Sequence, residues 1–125
     1  MAKVATLIVD GANVVGSRPD GWWRDRAGAA ARLHSQLLAA ELPYADVVLV
    51  LEGQARAGVP AGTDHGVRVV HAPRDGDTTI AELARSEIAG GGEAVVVTAD
   101  RALAATATGD GAQILRPGWL LDQLG

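Results

Sequence analysis

The stretch TLIVDGANVVGS, residues 6–17, decides the fold. Its first half is an unbroken apolar run with β-branched residues, which is typical of a strand covered on both faces. The run stops at a carboxylate, Asp10, and we expect the chain to turn tightly at Gly11. In open parallel α/β sheets, ligands bind beyond the carboxyl ends of the strands. The stretch therefore predicts a buried strand that carries Asp10 to a binding edge.

Strand-like and helical runs alternate along the rest of the chain. Strands are predicted at residues 4–9, 46–51, 67–71, 94–98 and 112–115, and helices at 24–42, 78–89, 101–108 and from Pro117 onward. This alternation indicates a three-layer α/β fold with a mostly parallel sheet. The segment 53–66 is rich in Gly, Ala and Pro and contains no predicted helix or strand.

Composition narrows the class of protein. The 125 residues suffice for a single domain, 1–125, and 48% of them are hydrophobic, so the chain should fold. The absence of cysteine excludes disulfides and thiolate metal sites. No apolar run is long enough for a membrane span or a signal segment, so we expect a soluble, cytoplasmic protein. Because the net charge is −4, a nucleic-acid partner would need a bound cation or a local arginine cluster.

Acidic residues stand at, or just after, the ends of four predicted strands. They are Asp10, Glu52, the pair Asp75 and Asp77, and Asp100. Because parallel strands end at one edge of a sheet, these carboxylates should converge there and repel one another. A hard cation relieves that repulsion, and Mg²⁺ or Mn²⁺ is the usual choice for oxygen ligands. Two such ions about 3.5–4 Å apart form the clamp that many phosphodiester and pyrophosphate hydrolases use.

Several of these residues also have simpler explanations. Asp77 and Asp100 each precede a predicted helix and suit its N-cap, while Asp75 stands in an ordinary turn sequence. Asn13 either orients a group in the site or is a turn residue. Thr98 either donates a hydrogen bond to a carboxylate or is an ordinary strand residue. The argument for a site is that acids follow all four strands in succession, and capping is compatible with metal binding.

The stretch RPDGWWRDR, residues 18–26, combines arginines with two adjacent tryptophans. Aromatic rings can stack on single-stranded bases, and Arg24 and Arg26 could hold phosphates. The alternative is a tryptophan that anchors the chain among solvated charges, and we expect this packing role for Trp23. The candidate substrate-binding residues are Arg24, Arg26, Arg101 and Thr98.

Four motifs, LIVDGAN, VLVLEG, GDTTIAEL and VVVTADRAL, resemble in order and spacing those of the PIN-like nucleases. The chain is most similar to the NYN group, and within it to the YacP-like branch. The resemblance implies a Rossmann-like sheet with strand order 3-2-1-4-5 and a metal-dependent ribonuclease activity. It implies that Asp10, Asp77 and Asp100 bind the metal and act in catalysis with Asn13. Glu52 matches a metal-binding position that is usually Asp.

The chain departs from that family pattern at two positions. Ala102 stands where many NYN proteins carry a second Asp of the fourth-strand motif, and Gly76 stands where related sequences often carry another acid. Fewer acids favour one metal ion over two, and they make a catalytically inactive protein conceivable.

Three functions follow from these observations. The first is a Mg²⁺- or Mn²⁺-dependent ribonuclease that acts on single-stranded or structured RNA. The second keeps the acidic site but hydrolyses the pyrophosphate of a nucleotide, which suits the acidic net charge. The third is a non-catalytic module that binds RNA or protein. The expected partner is RNA, and a homodimer is compatible with the sequence.

Overall fold

The structure is a computed structural model that describes residues 5–125, and the sheet in this part of the chain has six strands. They are β1 (Ala5–Asp10), β2 (Asp46–Leu51), β3 (Gly62–Asp64), β4 (Val67–His71), β5 (Glu93–Val97) and β6 (Gln113–Leu115). Their order across the sheet is β3-β4-β2-β1-β5-β6. Every neighbouring pair is parallel except β3 and β4. The predicted start of the first strand at Val4 lies outside the described residues.

The edge strand β3 was not predicted. It lies within the segment 53–66, runs antiparallel to β4 and is exposed along its whole length. An exposed three-residue strand has no apolar pattern, so only its backbone pairing with β4 reveals it. The predicted order 3-2-1-4-5 therefore does not describe the six-stranded sheet, although the five parallel strands have the neighbours that it assigned to them. The α/β class and the mostly parallel sheet are confirmed.

Five α-helices connect these strands in the described part of the chain. They are α1 (Gly11–Gly16), α2 (Arg26–Ala39), α3 (Gly76–Ala89), α4 (Arg101–Gly109) and α5 (Pro117–Leu124). Short 3-10 helices cover Trp22–Arg24 and Gly53–Gly58. The helix predicted to begin at residue 24 begins at Arg26, because Asp25 caps it by accepting a hydrogen bond from the amide of Gly28.

The helix α1 was also not predicted. It starts directly after β1, with Asp10 as its N-cap. Gly11 is its first residue, and the tight turn expected there is replaced by close packing. A Cβ atom added to Gly11 would lie only 2.6 Å from the carbonyl oxygen of Val50. Glycine is therefore needed at this position because α1 presses directly onto β2.

Helices cover both faces of the sheet. Leu7 and Leu49 point into a core that includes residues of α1, α2 and α5. Ile8 and Val50, their neighbours along the same strands, point into a second core with α3 and α4. Because successive side chains point to opposite faces, both faces of the sheet are covered, which gives the three predicted layers. The carboxyl ends of several strands lie next to helix N-termini. No helix within residues 5–125 is long and apolar enough to cross a membrane.

Candidate active site

Three of the helices begin at the carboxyl edge of the sheet, and an aspartate caps each of them. Asp10 caps α1 after β1, Asp75 caps α3 after β4, and Asp100 caps α4 after β5. Their carboxylates accept hydrogen bonds from the amides of the third helical residues, over 3.3, 2.8 and 3.0 Å respectively. The same geometry stabilises the helix starts and gathers acids at one edge.

Asp10 is a buried carboxylate held by three hydrogen bonds. Only 2% of its surface is exposed. Its Oδ2 accepts hydrogen bonds from the side-chain amide of Asn13 and from the hydroxyl of Thr98, each over 2.9 Å. Its Oδ1 accepts only the longer 3.3 Å bond from the backbone of Asn13. Oδ1 is therefore the less satisfied oxygen and the one with capacity for a further partner.

Asn13 and Thr98 also connect the ends of β1 and β5. The side-chain oxygen of Asn13 accepts a hydrogen bond from the amide of Ala99 over 3.2 Å. The hydroxyl oxygen of Thr98 accepts one from the amide of Asp100 over 3.1 Å. Asn13 is thus more than a turn residue, and Thr98 is more than an ordinary strand residue. Together they fix Asp10 relative to the loop that carries Asp100.

Asp77 and Asp100 form a close carboxyl pair. Partial desolvation, the charge of Asp100, a hydrogen bond with Asp100 and the charges of Asp10 and Asp75 together raise the pKa of Asp77 to about 6. The backbone amide of Leu103 holds the pKa of Asp100 below its usual value, helped by the hydrogen bond with Asp77. Asp77 is therefore the member of the pair that binds a proton first as the pH falls, while Asp100 stays ionised.

Burial also raises the pKa of Asp10, while its hydrogen bonds with Thr98 and Asn13 act in the opposite direction. The charge of Asp100 adds to the rise. Asp10, Asp77 and Asp100 thus influence one another electrostatically, as expected for acids that converge on one edge. The structure brings together the three carboxylates that the sequence singled out most strongly.

Glu52 and Asp75 both support the start of α3. Asp75 caps α3, so Asp77, which was predicted as the cap, lies inside the first helical turn. Glu52 accepts a hydrogen bond from the amide of Gly76 over 3.1 Å and so supports the start of α3. A Cβ atom at Gly76 would lie 3.3 Å from Oε1 of Glu52. The Glu52 carboxylate therefore occupies the space beside position 76.

The acids have the donor chemistry that a hard cation needs. Their mutual repulsion, visible in the raised pKa values of Asp10 and Asp77, would be relieved by a positive ion. Within residues 5–125, no three His, Asp or Glu side chains already surround a common point as metal ligands do. Mg²⁺ is often held in proteins by only one or two carboxylates, and Asp10, Asp77 and Asp100 are the residues here that could supply them.

The arginine and tryptophan stretch lies beside the acidic edge. Trp22 packs against the core and lines a cavity, whereas Trp23 is 55% exposed. The expectation that Trp23 anchors the chain is wrong, because Trp22 is the tryptophan that faces inward. The sequence alone does not show which of two adjacent tryptophans does so. The guanidinium of Arg26 lies 5.2 Å from the ring centroid of Trp22, and that of Arg24 lies 5.9 Å from that of Trp23.

Two further arginines lie near the acidic edge. Arg101 is exposed at the first position of α4, next to Asp100. Arg74 lines the same cavity as Trp22 and Arg26, and the sequence analysis missed it. Its only signal in the sequence is its position just before Asp75, after a strand end.

The fold of the chain is similar to that of known YacP structures. No protein-family model matches it, and no curated protein matches it in sequence. Among solved structures, it is similar to Rae1 (YacP) from Bacillus subtilis. The mutant form of that protein gives a TM-score of 0.76 at 22% identity, over 97% of this chain and 75% of that one. The second Rae1 structure gives 0.74 at 22% identity, over 95% and 72%. The predicted resemblance to the YacP-like branch is therefore confirmed for the fold.

Proposed function

We propose that this protein is a Mg²⁺- or Mn²⁺-dependent ribonuclease. The observation that carries the proposal is the position of Asp10, buried and fixed by Thr98 and Asn13, next to the Asp77–Asp100 carboxyl pair. A buried, oriented acid beside a carboxyl pair of perturbed pKa is typical of a functional site. Its place at the carboxyl edge of a parallel sheet, and the likeness to YacP structures, support the same conclusion.

Asp10, Asp77 and Asp100 are the residues that would hold the ion, and Asn13 with Thr98 would keep Asp10 aimed at it. When bound, the ion supplies charge that neutralises the phosphate and makes a water molecule more acidic. Asp77 would have to be deprotonated to hold the ion, so below about pH 6 a proton on Asp77 would compete with it. Glu52 contributes by holding the start of α3, and thereby Asp77, in position.

Unpaired arginines support a phosphate-bearing substrate. The side-chain ion pairs within residues 5–125 are Arg32–Asp20, Arg85–Asp110 and His65–Asp64. Arg24, Arg26 and Arg101 are exposed and take part in none of these pairs. Arginine suits local contacts with phosphate, so these three side chains would grip RNA on either side of the acids even though the net charge is −4.

The test is cleavage of RNA with Mn²⁺, with and without EDTA. We expect wild type to cleave only with metal and Asp10→Asn to lose more than about 100-fold in rate, beyond what the loss of an outer-shell partner costs. Asn keeps a capping oxygen but replaces one hydrogen-bond acceptor by an NH2 group, so a urea melt of the variant accompanies the assay and establishes that it is folded. Asp122→Asn, an exposed acid on α5, is the matched control and should cleave like wild type. Metal-independent cleavage, or normal cleavage by Asp10→Asn, would overturn the proposal.

Two alternatives have their own support. The acidic net charge suits a small nucleotide, so the same site could hydrolyse pyrophosphate, and comparing turnover of RNA and nucleoside triphosphates separates the two reactions. The absence of a ready three-ligand cluster within residues 5–125, together with Ala102 and Gly76, favours a non-catalytic binding module. A calorimetric titration that shows no Mn²⁺ binding would favour the non-catalytic module over both enzymes. A cytoplasmic location and a homodimer stay predictions.

A further inference from the structure

A cavity of about 390 Å³ opens next to the acidic edge. Its volume lies at the lower end of the range for small-ligand pockets, roughly 300–1,000 Å³. The side chains of Val15, Trp22, Leu51 and Ala55 supply its apolar walls. The residues that carry charge around it are Arg26, Glu52, Arg74 and Asp75. An apolar interior with a few charged groups at its border is the composition of a pocket for a flat organic group.

The cavity lies beside the proposed catalytic site, although Asp10, Asp77 and Asp100 do not line it. Gly11 and Ala12, which line it, directly follow Asp10 in the chain. Asp75, which also lines it, is two residues from Asp77. A polymer with one phosphate at the acids would therefore place an adjacent nucleoside over the cavity, because consecutive nucleotides are covalently joined.

The cavity wall is built from planar groups. The indole of Trp22 lines it, and the guanidinium of Arg26 lies 5.2 Å from the centroid of that ring. Aromatic rings and arginine planes are the surfaces on which unstacked bases settle in proteins that bind single strands. Within residues 5–125, the side-chain ion pairs do not involve Arg26 or Arg74. Neither guanidinium group is thus neutralised by a carboxylate, and that of Arg26 is already packed on the Trp22 ring.

We propose that this cavity binds one unstacked base of an RNA strand, next to the phosphate that the acids engage. The inference rests on the proposed ribonuclease function and deepens it by naming the substrate class as single-stranded RNA. Bases inside a duplex are paired and stacked, and one of them must leave the helix to enter a cavity of this size. Stacking on an aromatic ring tolerates all four bases, so the site should distinguish single-stranded from duplex RNA more than it distinguishes one base from another.

The direct test uses uncharged probes in EDTA, which keeps metal and phosphate out of the measurement. Adenosine, uridine and ribose are titrated separately, and the indole N–H signal of Trp22 is followed by NMR, assigned with Trp22→Phe. We expect both nucleosides, but not ribose, to shift the Trp22 signal in a saturable way. Ala12→Leu extends an exposed side chain into the cavity and should raise the Kd about 5- to 150-fold, the effect of losing one base–aromatic contact.

Matched control variants distinguish a loss of nucleoside binding from a loss of folding. Ala105→Leu makes the same change on an exposed face of α4, away from the cavity, and should bind like wild type. Arg26→Gln, an exposed change at the cavity wall, should also weaken nucleoside binding, whereas Arg32→Gln should not. Equal shifts with ribose, or unchanged affinity in both Ala12→Leu and Arg26→Gln, would overturn the proposal.

The two proposals fail in distinguishable ways. If nucleosides bind as expected but no RNA is cleaved with any metal, the cavity assignment stands and the ribonuclease assignment falls. If RNA is cleaved and Ala12→Leu keeps the wild-type kcat/KM on a single strand, the cavity assignment falls alone. On a matched hairpin, the intact site should cleave unpaired loop positions in preference to the stem.

Discussion

The hydroxyl of Thr98 donates a hydrogen bond over 2.9 Å to Oδ2 of Asp10, across a separation of 88 residues. The same oxygen of Thr98 accepts a hydrogen bond from the amide of Asp100. One small side chain thus links two of the proposed metal-binding acids, and both contacts are lost together if the hydroxyl is removed.

Thr98→Val should therefore damage both stability and activity. Valine has nearly the same shape, but it leaves the buried Asp10 with one donor fewer and the Asp100 amide without its acceptor. We expect a loss of about 1–3 kcal/mol in the free energy of unfolding, measured in urea, because buried polar groups are left unsatisfied. Cleavage should fall about 10- to 100-fold. Thr98→Ser keeps the hydroxyl and should recover most of both properties; equal damage in the two variants would contradict this role.

Metal binding should weaken as the pH falls through about 6, the pKa of Asp77. Below that pH a proton occupies the Asp77–Asp100 pair and competes with the ion, so Mn²⁺ affinity should fall by up to about tenfold per pH unit. Calorimetric titrations between pH 5 and 8 measure the Mn²⁺ affinity at each pH. Asp77→Asn should remove the midpoint near 6, and Asp122→Asn should keep it. A midpoint that survives in Asp77→Asn would show that another group carries the proton.

The same pair should affect stability in the metal-free protein. Because the folded-state pKa of Asp77 lies above the ordinary 3.8, the folded protein binds more protons between about pH 4 and 6. The contribution of Asp77 to the free energy of unfolding therefore falls as the pH rises through that window. Asp100 has a lowered pKa and acts in the opposite direction, at lower pH. Thermal melts with and without Mg²⁺ should diverge above pH 6, where the ion replaces the proton.

Gly11→Ala should destabilise the fold strongly. The new Cβ atom would lie 2.6 Å from the carbonyl oxygen of Val50 and 2.9 Å from Cδ2 of Leu51, so α1 would have to move off β2. We expect a loss of about 1–3 kcal/mol, as for other overpacked cores. Gly118→Ala in α5 is the control, since a Cβ atom there meets no other atom within 4 Å. That control should be neutral or gain up to about 1 kcal/mol in urea unfolding.

Glu52 and Gly76 should behave as a coupled pair. Gly76→Asp places a Cβ atom 3.3 Å from Oε1 of Glu52 and a second negative charge beside it, so the single variant should lose stability. Shortening the neighbour in the double variant Gly76→Asp with Glu52→Asp should recover part of that loss. The double-mutant cycle should give a coupling energy of about 0.5–3 kcal/mol. Additive effects of the two changes would show that the carboxylates do not compete for this space.

The sequence predicts the central parallel strands β1, β2 and β5 well because each is a largely buried apolar run. Prediction from the sequence fails where a helix or strand forms through contacts with residues that are distant in the chain. The helix α1 has glycines at both ends and two β-branched valines inside, and it forms because Val14 and Val15 pack into the core. The strand β3 is fully exposed and exists only through its pairing with β4.

The acids of the site could be found from their positions at strand ends, but their partners could not be assigned. Thr98 and Asp10 are far apart in the chain, and no spacing rule joins them. Asp75 and Asp77 are both suitable caps, and the choice between them is decided by where the backbone of Gly76 meets Glu52. Trp22 packs inward instead of Trp23, and adjacent residues on a short helix give no periodic signal that decides between them.

The double use of the capping aspartates has an evolutionary consequence. Asp10, Asp75 and Asp100 each complete a helix start, so selection for folding alone would keep an oxygen acceptor at these positions after any chemistry had been lost. Asparagine satisfies a cap as well as aspartate does, but it carries no charge. A descendant that abandons the reaction should therefore drift by Asp→Asn exchange at positions 75 and 100, where a single side-chain oxygen makes the cap. Position 10 should resist the exchange, because both oxygens of the buried Asp10 accept hydrogen bonds and an amide NH2 there would face a donor.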